Sequence, residues 1–250
     1  MKKVLSLSLT LFIFSSLFTS FAKGSYDWYF KPNKTNTKPE VIPEAKEILN
    51  DHSVIYYGSG EEKTLYLTFD AGYDNGYHEA ILDTLKEKQV TAAFFVDGNF
   101  LKRNEELAKR IVAEGHLLCN HSKSHPDTST LSKEEFTEQL TGWEEIYKTV
   151  VGSEPPKFFR PPMGKFSENS LSFADELGYK TVFWTYAYND WQNDKQPSKD
   201  YALSNLKERI HPGAVILLHS TSKTNSEILG EALDMLISEG YSFSSLASLQ

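Results

Sequence analysis

From residue 64 onward, short apolar runs alternate with stretches whose apolar residues recur every three to four positions. Leu65, Tyr66, Leu67 and Phe69 make the first run, which predicts a buried strand over 64–70. Ala80, Ile81 and Leu85 then recur at helical spacing and predict a helix over 77–88. The same alternation continues. Strands are predicted over 91–96, 116–121, 158–161, 180–187, 214–219 and 242–246. Helices are predicted over 101–114 (Leu107, Ile111, Val112), 133–151 (opened by Ser132), 168–177, 200–210 and 226–239. Short apolar strands joined by helices imply a parallel sheet covered on its outside. The even spacing, with no glycine-rich dinucleotide turn, favours a barrel over a doubly wound sheet. The predicted fold is α/β: an incomplete (β/α) barrel of about seven parallel strands.

The chain before this region reads differently. Lys2 and Lys3 precede an apolar stretch, Val4 to Phe21, diluted by Ser and Thr, and Ser20-Phe21-Ala22 at its end is a small-x-small site. Residues 1–22 are therefore expected to be a secretory signal peptide cleaved after Ala22. An uncleaved anchor is the alternative, since the run is just long enough to span a bilayer. Residues 23–63 form an arm with an aromatic run (Tyr26, Trp28, Tyr29, Phe30) broken by Pro32, Pro39 and Pro43. Its aromatics are expected to pack on a domain of residues 64–250, or else to help line a groove.

Charge and cysteine content narrow the partners. Loss of Lys2 and Lys3 with the leader takes the net charge from −8 to −10. An acidic surface argues against nucleic acid, whose phosphates need a basic patch. The single cysteine, Cys119, excludes an intramolecular disulfide. Its place in an apolar run predicts a small buried hydrophobe.

Polar residues fall where the predicted strands end. Asp70 closes the first strand, His121 the third and His219 the sixth; Arg160 sits near the end of the fourth, and Asp190 follows the fifth. In a parallel barrel these ends open on one face, where catalytic groups gather. His121 and His125, four apart, are on one helical turn able to share a cation; as an isolated pair they read equally as surface or capping histidines. Arg160, stiffened by Pro161 and Pro162, suits a carboxylate partner, and Asp70 is the natural one. The alternative is an arginine propping a loop. Asp190 is placed to raise the pKa of His219, which suits a general acid. Trp191 and Leu217 are candidates for walls of a small acyl pocket.

Taken in order, these segments resemble the polysaccharide deacetylase family (the NodB-like domain of carbohydrate esterase family four). The resembling motifs are Thr68-Phe69-Asp70-Ala71-Gly72, His121-Ser122-Lys123-Ser124-His125, Arg160-Pro161-Pro162-Met163-Gly164, Asp190-Trp191 and Leu218-His219. The resemblance covers residues 64–248. It implies a distorted (β/α) barrel that removes acetyl groups from sugar polymers. Asp70 would be the general base, Arg160 its orienting partner, His219 the general acid and Asp190 the residue that tunes it. His121 and His125 would hold a divalent metal, usually zinc. Most of the family has a second Asp at position 71 as a third ligand. Ala71 cannot ligate, so help from water, substrate, Asp70 or a loop acid such as Asp74 is expected, and a weaker site.

The segment from Phe69 to Tyr77, Trp28 in the arm and Ala187-Tyr188-Asn189-Asp190-Trp191 are similar to one branch, the delta-lactam-biosynthetic de-N-acetylases of spore formers, which also tends to lack the second Asp. That likeness implies deacetylation of N-acetylmuramic acid in peptide-stripped peptidoglycan, on the way to the muramic δ-lactam of spore cortex. Tyr73 and Trp191 would contribute near the oxyanion and the substrate. Arg160 or Lys165 would meet the lactyl carboxylate. The expected partner is a peptidoglycan glycan strand, met outside the cytoplasm by a monomer with no stable membrane insertion. Alternatives are a peptidoglycan N-acetylglucosamine deacetylase, a catalytically dead glycan-binding module, and a metal-free glycoside hydrolase using Asp70 and Asp190 as paired carboxylates.

Overall fold

Period-two alternation along the first long strand sorts its side chains between two layers. Leu65, Leu67, Phe69 and Ala71 pack with Ile81, Leu82, Leu85, Leu229 and Leu233 in the largest apolar cluster, under the helices. Tyr66 faces the other way, into a cluster with Phe95, Cys119, Phe158, Val182 and Val215 that fills the barrel. Thr68 and Asp70 share the parity of Tyr66, so they lie on the inner face. Burial pushes the Cys119 thiol up, and its side chain fills the barrel as a small hydrophobe.

The computed structural model describes residues 24–249; the leader expected over 1–22 lies outside them. The arm holds β1 (Tyr26–Asp27), β2 (Phe30–Lys31), β3 (Glu40–Val41), α1 (Lys46–Asp51) and β4 (Val54–Ile55). Next come β5 (Thr64–Ala71), α2 (His78–Lys88), β6 (Ala93–Val96), α3 (Gly98–Arg103), α4 (Glu105–Ala113), β7 (Leu117–Asn120) and α5 (Lys133–Val151). The chain ends with β8 (Phe158–Phe159), β9 (Lys165–Phe166), α6 (Glu168–Glu176), β10 (Lys180–Val182), α7 (Lys199–Arg209), β11 (Val215–His219), α8 (Lys223–Ser238) and β12 (Ser242–Phe243). Among the described residues, no helix is long and apolar enough to cross a membrane.

The main sheet runs β11-β5-β6-β7-β8-β10-β4, seven strands paired in parallel throughout. β4 and β11 are not paired as strands; an isolated bridge joins Tyr57, just past β4, to Ala214, and the segment after β10 bridges β11 through Tyr186 and Ile216. The result is the distorted, incomplete (β/α) barrel expected. Its membership differs from the sequence pattern in two places. Val54–Ile55 of the arm supplies the edge strand beside β10, and β12 lies off the path, paired with Thr64 and Leu65 at the start of β5. Apolar runs of two residues carry too little periodicity to be recognised as strands.

Two other boundaries shift for local reasons. The helix predicted over 101–114 starts earlier and is broken at Asn104. Asp97 caps the first turn by accepting the Phe100 N–H, and the Asn104 side chain bonds back to the Phe100 carbonyl. The strand predicted over 180–187 ends at Val182, because Thr185 and Tyr186 turn their N–H groups to Val215 on β11. In the arm, Trp28 stacks on Phe183 with centroids 4.3 Å apart and donates its indole N–H to the Trp184 carbonyl at 2.9 Å. The long α5 begins with a reciprocal capping box, Ser132 with Glu135, and stops at Gly152 with φ 82°.

Candidate active site

Asp70 sits on the inner face near the C-terminal end of β5. Arg160, just past β8 and wholly buried, donates from Nη1 to Asp70 Oδ1 at 2.5 Å, from Nη2 to Thr68 Oγ1 at 2.9 Å and from Nε to the Val182 carbonyl at 3.2 Å. Its guanidinium lies over the Phe95 ring at 4.1 Å. All three nitrogens are engaged, so the fork is fixed. Burial pushes the Asp70 carboxyl up, but Arg160, His121 and His219 outweigh it and hold the group below the usual carboxylate range.

His121 and His125 come together without a helix. The predicted helical turn is instead a tight loop, in which Ser122 (φ 69°) and His125 (φ 59°) are left-handed and Ser122 Oγ accepts the His125 N–H at 2.8 Å. Such conformations in non-glycine residues store about 1–3 kcal/mol each. Gly98 N donates to both Ser122 and Lys123 carbonyls at 3.1 Å; a Cβ there would lie 2.6 Å from the Lys123 oxygen, so only glycine permits the approach.

The rings meet edge to face with centroids 4.9 Å apart. His121 Nδ1 donates to the Arg160 carbonyl at 2.8 Å, leaving a lone pair on Nε2. Burial pushes His121 down to about 4, keeping it neutral, and its Nε2 faces Asp70 Oδ2 at 3.7 Å. Two lone-pair atoms facing each other at that separation leave a place for a cation. The donor set thus fits a divalent ion held through two imidazoles. Among the described residues, no group of three His, Cys, Asp or Glu side chains is placed to hold one. Asp74, a loop acid that the sequence offers as a further ligand, is not grouped with the two histidines; its Oδ1 accepts from His78 and from the Gly76 N–H.

The third set lies across β11. His219 Nδ1 donates to Asp190 Oδ1 at 2.7 Å, while Asp190 Oδ2 accepts from the His219 backbone at 2.8 Å and from Asn225 Nδ2 at 2.6 Å. Tyr188 donates its hydroxyl to Asn225 Oδ1. With Nδ1 committed, Nε2 of His219 is left to face the site. Burial works against the protonated ring, yet the bond and charge of Asp190, with Asp70, raise the His219 pKa. Asn225 was not foreseen, because a lone polar residue in a helix has no sequence signature.

These groups share one groove. Its apolar arm, about 590 Å³, is lined by Asp70, both site histidines, Leu217, His219 and aromatic walls from Trp184 and Trp191. A second arm of about 320 Å³ adds Gly72, Tyr73, Asp97 and Thr221. Trp191 is 54% exposed and borders both arms. Tyr73 is held across the mouth by Asn193, which donates to its hydroxyl at 2.6 Å. Asp97 is a further residue that the sequence reading passed over, although it follows the second strand at the same barrel end as the others. Lys165 does not reach the groove. Its ammonium is taken by Asp127 at 3.3 Å and Asp27 at 3.8 Å. Each guanidinium nitrogen of Arg160 already donates within the protein, and the side chain has no exposure. Neither is placed to meet a substrate carboxylate, and no Lys or Arg lines either arm among the described residues.

Comparison with known proteins agrees with this geometry. A family model described as polysaccharide deacetylase matches residues 57–182. The peptidoglycan-N-acetylmuramic acid deacetylase PdaA of Bacillus subtilis is 40% identical over 224 residues, 89% of this chain and 85% of the relative. A peptidoglycan-N-acetylglucosamine deacetylase of Bacillus cereus is 35% identical over 234 residues, 87% of this chain and 84% of the relative. The solved structure of Bacillus subtilis PdaA, a family 4 carbohydrate esterase, superposes with a TM-score of 0.87 at 39% identity, covering 90% of this chain and 96% of that one. The chain belongs to the polysaccharide deacetylase family and is a carbohydrate N-deacetylase, a hydrolase of carbon–nitrogen bonds other than peptide bonds.

Proposed function

We propose that this protein is an exported peptidoglycan deacetylase that hydrolyses the N-acetyl group of muramic acid after the stem peptide has been removed, on the way to the muramic δ-lactam of spore cortex. The observation that carries deacetylation is the pairing of two prepared groups across one groove. Asp70 is held ionised by Arg160, and His219 is held with Nε2 free by Asp190. The muramic choice is supported by the likeness to a muramic acid deacetylase and by the segment from Phe69 to Tyr77.

Asp70 takes a proton from the attacking water, whose oxygen bonds to the acetyl carbonyl carbon. His219 gives its Nε2 proton to the sugar nitrogen as the C–N bond breaks, so acetate and a free amine leave. Arg160 keeps the Asp70 carboxylate oriented throughout. A divalent ion, zinc in this reading, would be held by His121 and His125 and would supply Lewis-acid polarisation of the acetamide carbonyl. Ala71 packs in the apolar layer and offers no donor, so such an ion would be held more weakly than by three protein ligands. Leu217 and Trp184 wall the acetyl group, and Trp191 and Tyr73 offer faces to the sugar.

A second reading, deacetylation of N-acetylglucosamine, is favoured because no Lys or Arg among the described residues lines the groove to meet a lactyl carboxylate. Incubation with glycan strands carrying both sugars, followed by fragment mass spectrometry, decides between them. Acetyl loss on muramic acid supports the proposal, and loss confined to glucosamine overturns it.

A further inference from the structure

The loop that follows Asp70 ends in a chain of hydrogen bonds that the proposed reaction does not use. His78, the first residue of α2, is 1% exposed. Its Nδ1 lies 2.8 Å from Asp74 Oδ1 and its Nε2 lies 2.8 Å from Ser220 Oγ. Asp74 Oδ1 also accepts the Gly76 N–H at 2.9 Å, and Asn75 Nδ2 donates to the Thr221 carbonyl at 2.6 Å. Asp74 and His78 line neither arm of the groove.

Chemistry fixes the direction of this chain. Burial pushes His78 down despite the nearby carboxylate, so the ring is neutral and carries one proton. The Asp74 carboxylate can only accept, so that proton sits on Nδ1. Nε2 must then accept from the Ser220 hydroxyl. The order Ser–His–Asp is that of a nucleophilic triad, but Ser220 has no exposed surface and a substrate cannot touch it.

What the chain does hold is the end of a ladder. Asp70 and His219 are Cα partners in the last pair between β5 and β11. At that rung Ser220 N donates to the Asp70 carbonyl over a long 3.3 Å, and Ser220 Oγ lies 3.5 Å from the same oxygen. Ser220 is covalently next to His219, so anchoring its side chain restrains both strand ends. We propose that Asp74, His78 and Ser220 form a positioning relay that holds Asp70 and His219 in register at the last rung of the β5–β11 ladder. The inference rests on the proposed deacetylase reading.

Two measurements test it, and they fail separately from that reading. Long-range proton–nitrogen NMR on the labelled protein is expected to find His78 neutral and protonated at Nδ1. Protonation at Nε2 overturns the relay. In Ser220→Ala, the downfield Nδ1 proton of His219, bonded to Asp190, is expected to shift or broaden; a resonance identical to wild type overturns the relay whatever the substrate is. In acetate-release kinetics, Ser220→Ala is expected to lower kcat by about tenfold with KM nearly unchanged, and Ser220→Cys, which keeps a weak donor, to recover part of it. A variant that loses thermal stability but keeps kcat shows a purely structural bolt and refutes the proposal. Wild-type protein that releases acetate from no glycan refutes the proposed function and leaves both NMR outcomes decisive.

Discussion

Replacing Arg160 by Met leaves the carbon stem but removes the charge. In the native protein the guanidinium is wholly buried and Asp70 is 7% exposed at the floor of the groove, so water can take over only part of the lost contacts. Removing one partner of a buried pair costs about 3–5 kcal/mol, because the other charge stays buried without compensation. The Val182 carbonyl loses its donor as well, at about 1 kcal/mol. The sum is a large share of the roughly 5–15 kcal/mol that stabilises a typical domain.

Arg160→Met/Asp70→Leu should recover most of this loss, since apolar residues of similar volume often substitute for a buried pair at little cost. The assay is chemical denaturation near pH 7 with EDTA present, completed as a double-mutant cycle. The native Asp70 carboxyl is depressed. Its contribution is therefore present above the unfolded carboxylate pKa and is lost as pH falls through the folded value, so the Arg160→Met penalty should shrink in acid. A penalty below about 1 kcal/mol, or a double variant as unstable as the sum of the singles, would refute the idea that the two charges depend on each other.

Other variants probe the remaining groups. Asp190 raises the His219 pKa, and His219 must be protonated when it acts, so the alkaline limb of kcat/KM should lie above the ordinary imidazole range. Asp190→Asn should move that limb to lower pH; an unmoved limb would mean another group is the acid. Trp191→Ala should raise KM by about three- to tenfold with little change in kcat, because an exposed ring at the groove acts by stacking on sugar. EDTA should stop acetate release and zinc restore it, while His125→Ala should weaken zinc binding measured by competition with a coloured chelator. Binding unaffected by that substitution would remove His125 from the site.

The sequence marks some of these residues and conceals others. The strand-end rule picks out Asp70, His121, Arg160, Asp190 and His219 because polar residues interrupt apolar runs there; Asp70, His121 and His219 line the groove, with Arg160 and Asp190 buried behind them. Asp97 obeyed the same rule and could have been included. Ser220, His78 and Asn225 had no comparable signal. A buried hydroxyl, imidazole or amide looks like any other polar residue until its partners, far away in sequence, are known. Lys165 illustrates the opposite error. A lysine near a motif looked available, but two aspartates from elsewhere in the chain claim it. The arm's edge strand stayed hidden for a related reason. Val54 and Ile55 alone show no period, and only pairing with β10 makes them a strand.

Mass spectrometry of peptidoglycan glycan strands, with and without stem peptides, tests the central claim most directly. Strands would be incubated with the protein in EDTA and again with zinc restored. Loss of one acetyl group per muramic acid, only in stripped strands and only with the metal present, is the expected result. Loss confined to glucosamine, or no mass change under any condition, would contradict it.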